Sequence, residues 1–202
     1  MRSKTKSKMK DEIKKALVNR DYSNLLHMNL KRVASHLISF LYGDELLIFR
    51  ASEALGVVCG KLEKEDLEFV KNVLRRLFWH LSDESGAYCK GAPVAIGEIG
   101  RNASKAFEGF KNMMVSLLDN EEVEKKYVIY AIGRAAKNVK DAYPNPVEKL
   151  MLFLEKNAEV RGYATWALAQ LGVRLDVNDI EVEIYDGNFK KVRIKDIFAK
   201  DS

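Results

Sequence analysis

Between Asn157 and Gly172 the chain reads NAEVRGYATWALAQLG, and its apolar positions Val160, Tyr163, Ala164, Ala167, Leu168 and Leu171 keep the i, i+3, i+4, i+7 spacing of one helix face. A step of 36 residues back places Tyr127, Val128, Ala131, Ile132 and Ala135 on the same stripe. A further 36 gives Tyr88, Gly91, Ala92, Ala95, Ile96 and Ile99, and a step of 41 then reaches Leu47, Ala51, Ala54, Leu55 and Val58. Behind the central pair of each copy stand Gly56, Gly97, Gly133 and Ala169. Glycine inside a helix costs about 1 kcal/mol against alanine, so small residues in register point to helices that must approach closely.

An amphipathic stretch precedes each copy: Tyr22 to Leu41, Asp66 to Leu81, Ala106 to Leu118 and Pro146 to Leu154. The repeating unit is therefore a helical hairpin, and a period of this length marks arrays in which each hairpin buries its apolar face against the next. Gly43-Asp44 reads as the turn of the first unit and Lys61 to Asp66 as a charged connector. Pro93 is expected in the first turn of its helix, where a missing N–H costs least, and Pro144-Asn145-Pro146 opens the last unit.

The segment Asn157-Ala158-Glu159-Val160-Arg161 followed by Ala167-Leu168-Ala169 resembles the turn and second helix of HEAT repeats of the short PBS-lyase HEAT-like kind. Asp119-Asn120-Glu121 with Ala131-Ile132-Gly133 is a second such match. The resemblance implies an all-α fold, a right-handed α-solenoid of about four hairpins over residues 21–174. A second, local resemblance lies in Trp79-His80-Leu81-Ser82-Asp83-Glu84-Ser85-Gly86 followed by Ala92-Pro93 and Ile96-Gly97-Glu98. It is similar to a largely uncharacterised group of HEAT-like proteins of anaerobic bacteria and archaea. Cys89-Lys90 stands here where that group often has a second aromatic residue.

The two ends read differently. Residues 1–20 form a basic lead-in, with Lys8 to Asn19 expected as a capping helix whose thin apolar stripe is Ile13, Leu17 and Val18. After Arg174, Ile180, Val182 and Ile184 alternate with Glu181, Glu183 and Tyr185, and Asp186-Gly187-Asn188 turns the chain toward Phe189, Val192 and Ile194. Residues 175–202 are thus a β-hairpin and a short helix through Phe198, and since an isolated hairpin is marginal in water, it is expected to dock on the C-terminal end of the array.

Composition narrows the function classes. The net charge is +5, yet residues 1–20 hold eight basic side chains against Asp11 and Glu12, so the remainder sums to −1. A protein gripping a duplex along its repeats carries its positive charge there, because affinity follows the phosphates neutralised. Nucleic acid is left to the basic N-terminus. No apolar run approaches the roughly 20 residues of a membrane span and the basic start leads into no apolar segment, which points to the cytoplasm. Cys59 and Cys89 read as buried thiols inside second helices, and with His27, His36 and His80 they make no zinc-ligand spacing; no metal or cofactor is expected. A single glutamine, Gln170, among abundant Lys and Glu points to a high-temperature source.

On the second helices one column reads Glu53, Val94, Tyr130 and Trp166 and a neighbouring one Val57, Glu98, Arg134 and Gln170. In HEAT arrays the second helices line the concave surface, so the resemblance places these columns there, with Arg101 and Lys137 beside them. A groove of aromatic, carboxylate and guanidinium groups suits a protein partner. The candidate partner-binding residues are Trp79, Asp83, Glu84, Glu98, Arg101, Tyr130, Arg134, Lys137, Trp166 and Gln170. A HEAT-like DNA glycosylase, using Trp79, Asp83 and Trp166 around a cationic base, and a bilin-lyase-like enzyme are the alternatives that the resemblance admits. The turn Asp83-Glu84-Ser85-Gly86 is either a site or a corner whose carboxylates accept backbone N–H bonds.

Overall fold

The computed structural model describes residues 2–82, 88–176, 181–193 and 195–196, with side chains from residue 8 onward. The described chain is mostly helical, built of packed helix pairs and closed by a two-stranded antiparallel hairpin.

Helix α1 spans Arg2–Asn19. Its buried stripe is Ile13, Ala16 and Leu17, which pack on the first pair, whereas Val18, expected inward, is 61% exposed. The first pair is a short 3₁₀ turn, Ser23–His27, then α2, Leu30–Phe40, and α3, Glu45–Glu65. Asn29 and Asp44 cap α2 and α3 by accepting the N–H groups of Arg32 and Leu47. The expected connector Lys61 to Asp66 is instead the last turn of α3, and Asp66 both ends that helix and caps α4, Leu67–Trp79, through the N–H of Phe69.

Helix α5 runs Ala92–Asn102 with Pro93 in its first turn, as expected. Tyr88 lies ahead of it and is exposed, and Cys89, although buried, also precedes the helix. The stretch Ala106 to Leu118 is broken rather than continuous: α6, Ser104–Phe107, then α7, Lys111–Ser116, then a 3₁₀ turn. The break falls at Gly109, whose added Cβ would meet nothing within 4 Å, so no packing holds that point in helix. The third second helix is likewise split, into α8, Lys125–Arg134, and α9, Ala136–Val139. The last pair is α10, Pro146–Met151, and α11, Ala158–Gln170, capped by Asn145 and Asn157.

The second helices α3, α5, α8 and α11 pack side by side in that order. The column of small residues sets their spacing. A Cβ on Gly56 would come 2.6 Å from the Glu98 carbonyl oxygen, one on Gly97 would run into Ala131, and one on Gly133 into the Trp166 ring. One buried cluster continues from Ile13 through every pair to Tyr185.

Strands β1, Glu181–Tyr185, and β2, Phe189–Arg193, pair with Val182 opposite Val192 and Tyr185 opposite Phe189. Val182 lies over Gly162 of α11, as a C-terminal cap would. The far end of the hairpin does not stay there. Tyr185 and Phe189 cross to Phe49 of α3, at ring-centroid distances of 4.6 and 5.4 Å, and Asn188 accepts from Arg50 at 2.8 Å. The hairpin is therefore a strap from the last pair to the first, because the apolar surface it needs to cover lies on Phe49 and Tyr130 rather than at the end of the array. Ile180, Ile194, Phe198 and the turn Asp83-Glu84-Ser85-Gly86 lie outside the described residues.

Candidate functional site

The side chains with the most chemistry sit where the hairpin crosses the second helices. Glu53, one turn after Phe49 on α3, is 6% exposed and accepts four hydrogen bonds. Arg20 donates from Nε at 3.0 Å and Nη2 at 2.7 Å, and the hydroxyls of Tyr22 and Tyr185 donate to Oε2, each at 3.0 Å. Burial alone would raise the Glu53 carboxyl, but the bonds and charge of Arg20, with the Tyr185 and Tyr22 hydroxyls, outweigh it and hold the group below the usual carboxylate range.

Arg20 reaches Glu53 because of how α1 ends. The backbone N–H of Asp21 donates to the Ala16 carbonyl and that of Arg20 to the Leu17 carbonyl, closing a Schellman turn with Arg20 at φ 53°. Glycine is the usual residue there, since a left-handed conformation costs other residues about 1–2 kcal/mol. Arg20 bears that strain while its guanidinium lies against Gly187, the hairpin glycine at φ 81°, where a Cβ would occupy the space of the Arg20 side chain.

A second carboxylate, Glu98 of α5, is 1% exposed and held by Arg134 of α8, from Nε at 2.5 Å and Nη2 at 3.2 Å, with the Tyr130 hydroxyl at 3.4 Å. Here burial wins over the attraction of Arg134, and the Glu98 carboxyl is raised. Arg134 Nη2 also lies 3.8 Å from Glu53 Oε1, so the two pairs form one chain of alternating charge from α1 across α3, α5 and α8. Tyr130, wholly buried, stacks on Trp166 at 5.2 Å and 11° and meets Phe49 edge-on at 4.8 Å. The charged chain opens on a cleft of about 420 Å³ walled by Arg20, Glu53, Glu98, Arg101, Arg134 and Asp186.

The structure brings together Glu98, Arg101, Tyr130 and Arg134 among the candidates, but not as an open groove. Glu98 and Tyr130 are buried, as are Val94 and Glu53 of the same columns, because neighbouring second helices and the hairpin cover them. Trp166 is half-buried on Tyr130, while Arg101, Lys137 and Gln170 are exposed. Trp79 is elsewhere, 54% exposed at the end of α4, beside His80, whose ring meets Tyr42 edge-on. Asp83 and Glu84 lie outside the described residues. Arg20, Tyr22, Tyr185 and Asp186 were missed: the contact between Glu53 and Tyr185 spans 132 residues, and no periodic signal links positions so far apart. The one local sign was an arginine where a helix end favours glycine.

Both carboxylates are held by donors from several elements, four hydrogen bonds on Glu53 and three on Glu98. Among the described residues no group of three His, Cys, Asp or Glu could hold a metal ion, and Cys59 and Cys89 are buried with their thiols pushed up by burial. No described helix is long and apolar enough to cross a membrane.

Comparison with known proteins adds two findings. A family model of the HEAT-like repeat matches residues 122–171, the stretch from the start of α8 to the end of α11. An uncharacterised protein of Archaeoglobus fulgidus is 53% identical over 179 residues, covering 83% of this chain and 94% of that relative. No solved structure matches.

Proposed function

Given that the chain belongs to the family of the Archaeoglobus fulgidus protein and is a HEAT-like repeat protein, we propose that it is a non-enzymatic scaffold that binds a protein partner on its second-helix face. The observation that carries this reading is the strap. One half of that face already holds a polypeptide segment, by the same means that hold protein partners: Tyr185 and Phe189 on Phe49, and hydroxyl and amide groups on Glu53 and Arg50. The other half, with Arg101, Lys137, Gln170 and the free edge of Trp166, is the part left for a partner in trans. Arginine and tryptophan are the residues that most often anchor such contacts.

The experiment is capture of proteins from the source lysate on immobilised wild-type chain beside Lys137→Glu, Gln170→Ala and Trp79→Ala variants, all first matched by circular-dichroism melting. A protein retained by the wild type and Trp79→Ala and lost from the other two supports the second-helix face. Loss only from Trp79→Ala moves the docking surface to the α4 corner. Retention of nothing by the wild type refutes the scaffold reading.

A further inference from the structure

We infer that the edge formed by the C-terminal ends of the second helices docks an acidic, extended segment of the partner, an inference that rests on the scaffold reading above. Lys64 near the end of α3, Arg101 at the end of α5, Lys105 on α6 just beyond it, Lys137 and Lys140 around α9, and Arg174 after α11 are all exposed. None of the six has a hydrogen-bond or ion-pair partner among the described residues. The fold brings them to one edge: Gly60 of α3 abuts Asn102, the Asn138 amide donates to the Gly100 carbonyl at 2.8 Å, and α11 packs on α8 through Trp166 and Gly133.

Cations at helix C-termini are favoured by the helix dipole by a few tenths to about 1 kcal/mol, but that preference does not leave them without carboxylates. At the opposite ends of the same helices Lys126 sits between Glu45 and Glu159, each at 2.8 Å, and Lys90 meets Glu124. Along the basic edge the nearby acids are spoken for or peripheral. Glu63 accepts the Ala106 N–H, Lys111 engages both Glu108 and Asp141, and Glu65 and Asp176 stand at the two extremes. In the middle, Lys105, Lys137 and Lys140 have no paired carboxylate, and Arg101 has near it the buried Glu98, which Arg134 already holds.

The spacing selects the class of partner. Packed helices stand about 8–10 Å apart, so the edge offers roughly one cation group per helix at that interval. An extended polypeptide advances about 3.3 Å per residue, and a carboxylate at every third residue matches the interval. Residues 21–202 as a whole sum to −1, so the edge is a local row of cations rather than the broad positive field that a nucleic-acid backbone needs. An acidic protein segment is therefore the occupant.

The test is fluorescence anisotropy of the full chain with a fluorescein-labelled peptide of five Glu-Gly-Ser triplets in low salt, against a Lys-Gly-Ser control. Binding of the acidic peptide should weaken at least tenfold in the Arg101→Glu, Lys137→Glu double variant and change less than twofold in a Lys14→Glu, Lys15→Glu variant on α1, which alters net charge equally. Equal weakening in both variants would mean that only overall charge is felt, and would overturn the proposal, as would tighter binding of a labelled oligothymidylate than of the peptide. No peptide binding, with lysate capture by the wild type still lost on Lys137→Glu, would sink this inference and leave the scaffold reading standing; no peptide binding and no lysate capture by the wild type would remove both.

Discussion

Replacing Glu53 by glutamine tests whether the strap is held by the buried charge or merely by its aromatic rings. The substitution keeps the shape and removes one charge on which four donors converge. Arg20 is 42% exposed in its side chain, so its ion pair is discounted to the surface scale of about 1 kcal/mol. The two tyrosine hydroxyls lose charge assistance worth roughly 0.5–1 kcal/mol each. The sum is about 2–3 kcal/mol, which for a chain of this size lowers Tm by about 4–12 °C. Acid provides a second axis. The folded Glu53 pKa is depressed from its ordinary value of 4.5, so the stabilisation it supplies is fully present above that value and is lost as pH falls through the lower folded one. Urea titrations of wild type and Glu53→Gln should therefore differ by a constant amount at neutral pH, and the gap should narrow progressively as pH falls below the ordinary Glu value of 4.5 and through the depressed folded one. Glu98 has the opposite tendency, raised by burial, so it adds stability on acidification; it is common to both proteins and largely cancels in the difference. A gap under about 0.5 kcal/mol at neutral pH, or one that does not narrow on acidification, would refute the assignment of Glu53 as the charged anchor.

Gly97→Ala should destabilise by about 2–3 kcal/mol or more, because the new methyl meets the backbone of α8 at Ala131, which cannot yield without separating two helices; a thermal melt within 1 °C of wild type would contradict that packing. Gly187→Ala should cost about 1–2 kcal/mol from positive φ alone and in addition displace the Arg20 guanidinium. Limited proteolysis should then cut near residue 188 faster than in wild type. Cys59 and Cys89, buried with raised pKa, should resist a thiol reagent at pH 8 in the native chain and react together in denaturant; rapid native labelling of either would show the core to be open there.

Much of this molecule is local, and the local part is legible in the chain. The stripe through Tyr127, Ala131 and Ile132, the turns at Gly43-Asp44 and Asn157, Pro93 in the first turn of α5 and the alternation of Val182 and Ile184 each depend on residues within a turn or a strand of one another. The column Gly56, Gly97, Gly133 could also be read, because a repeat places the same demand at the same phase. The site was legible by half: the columns named Glu98, Arg134 and Tyr130 as neighbours, but as a solvent-facing groove.

What tertiary structure alone decided is the closure. Whether Glu53 faces a partner or the chain's own Arg20 and Tyr185 depends on the end of α1 and on a β-hairpin returning across the array, which lie 33 and 132 residues from Glu53 in sequence. Periodicity reports which face of a helix avoids water; it carries no record of which distant segment comes to cover that face. Helix faces, caps and close approaches are set by the sequence itself, whereas the buried charge chain and the strap over it exist only once both ends of the chain have met on the second helices.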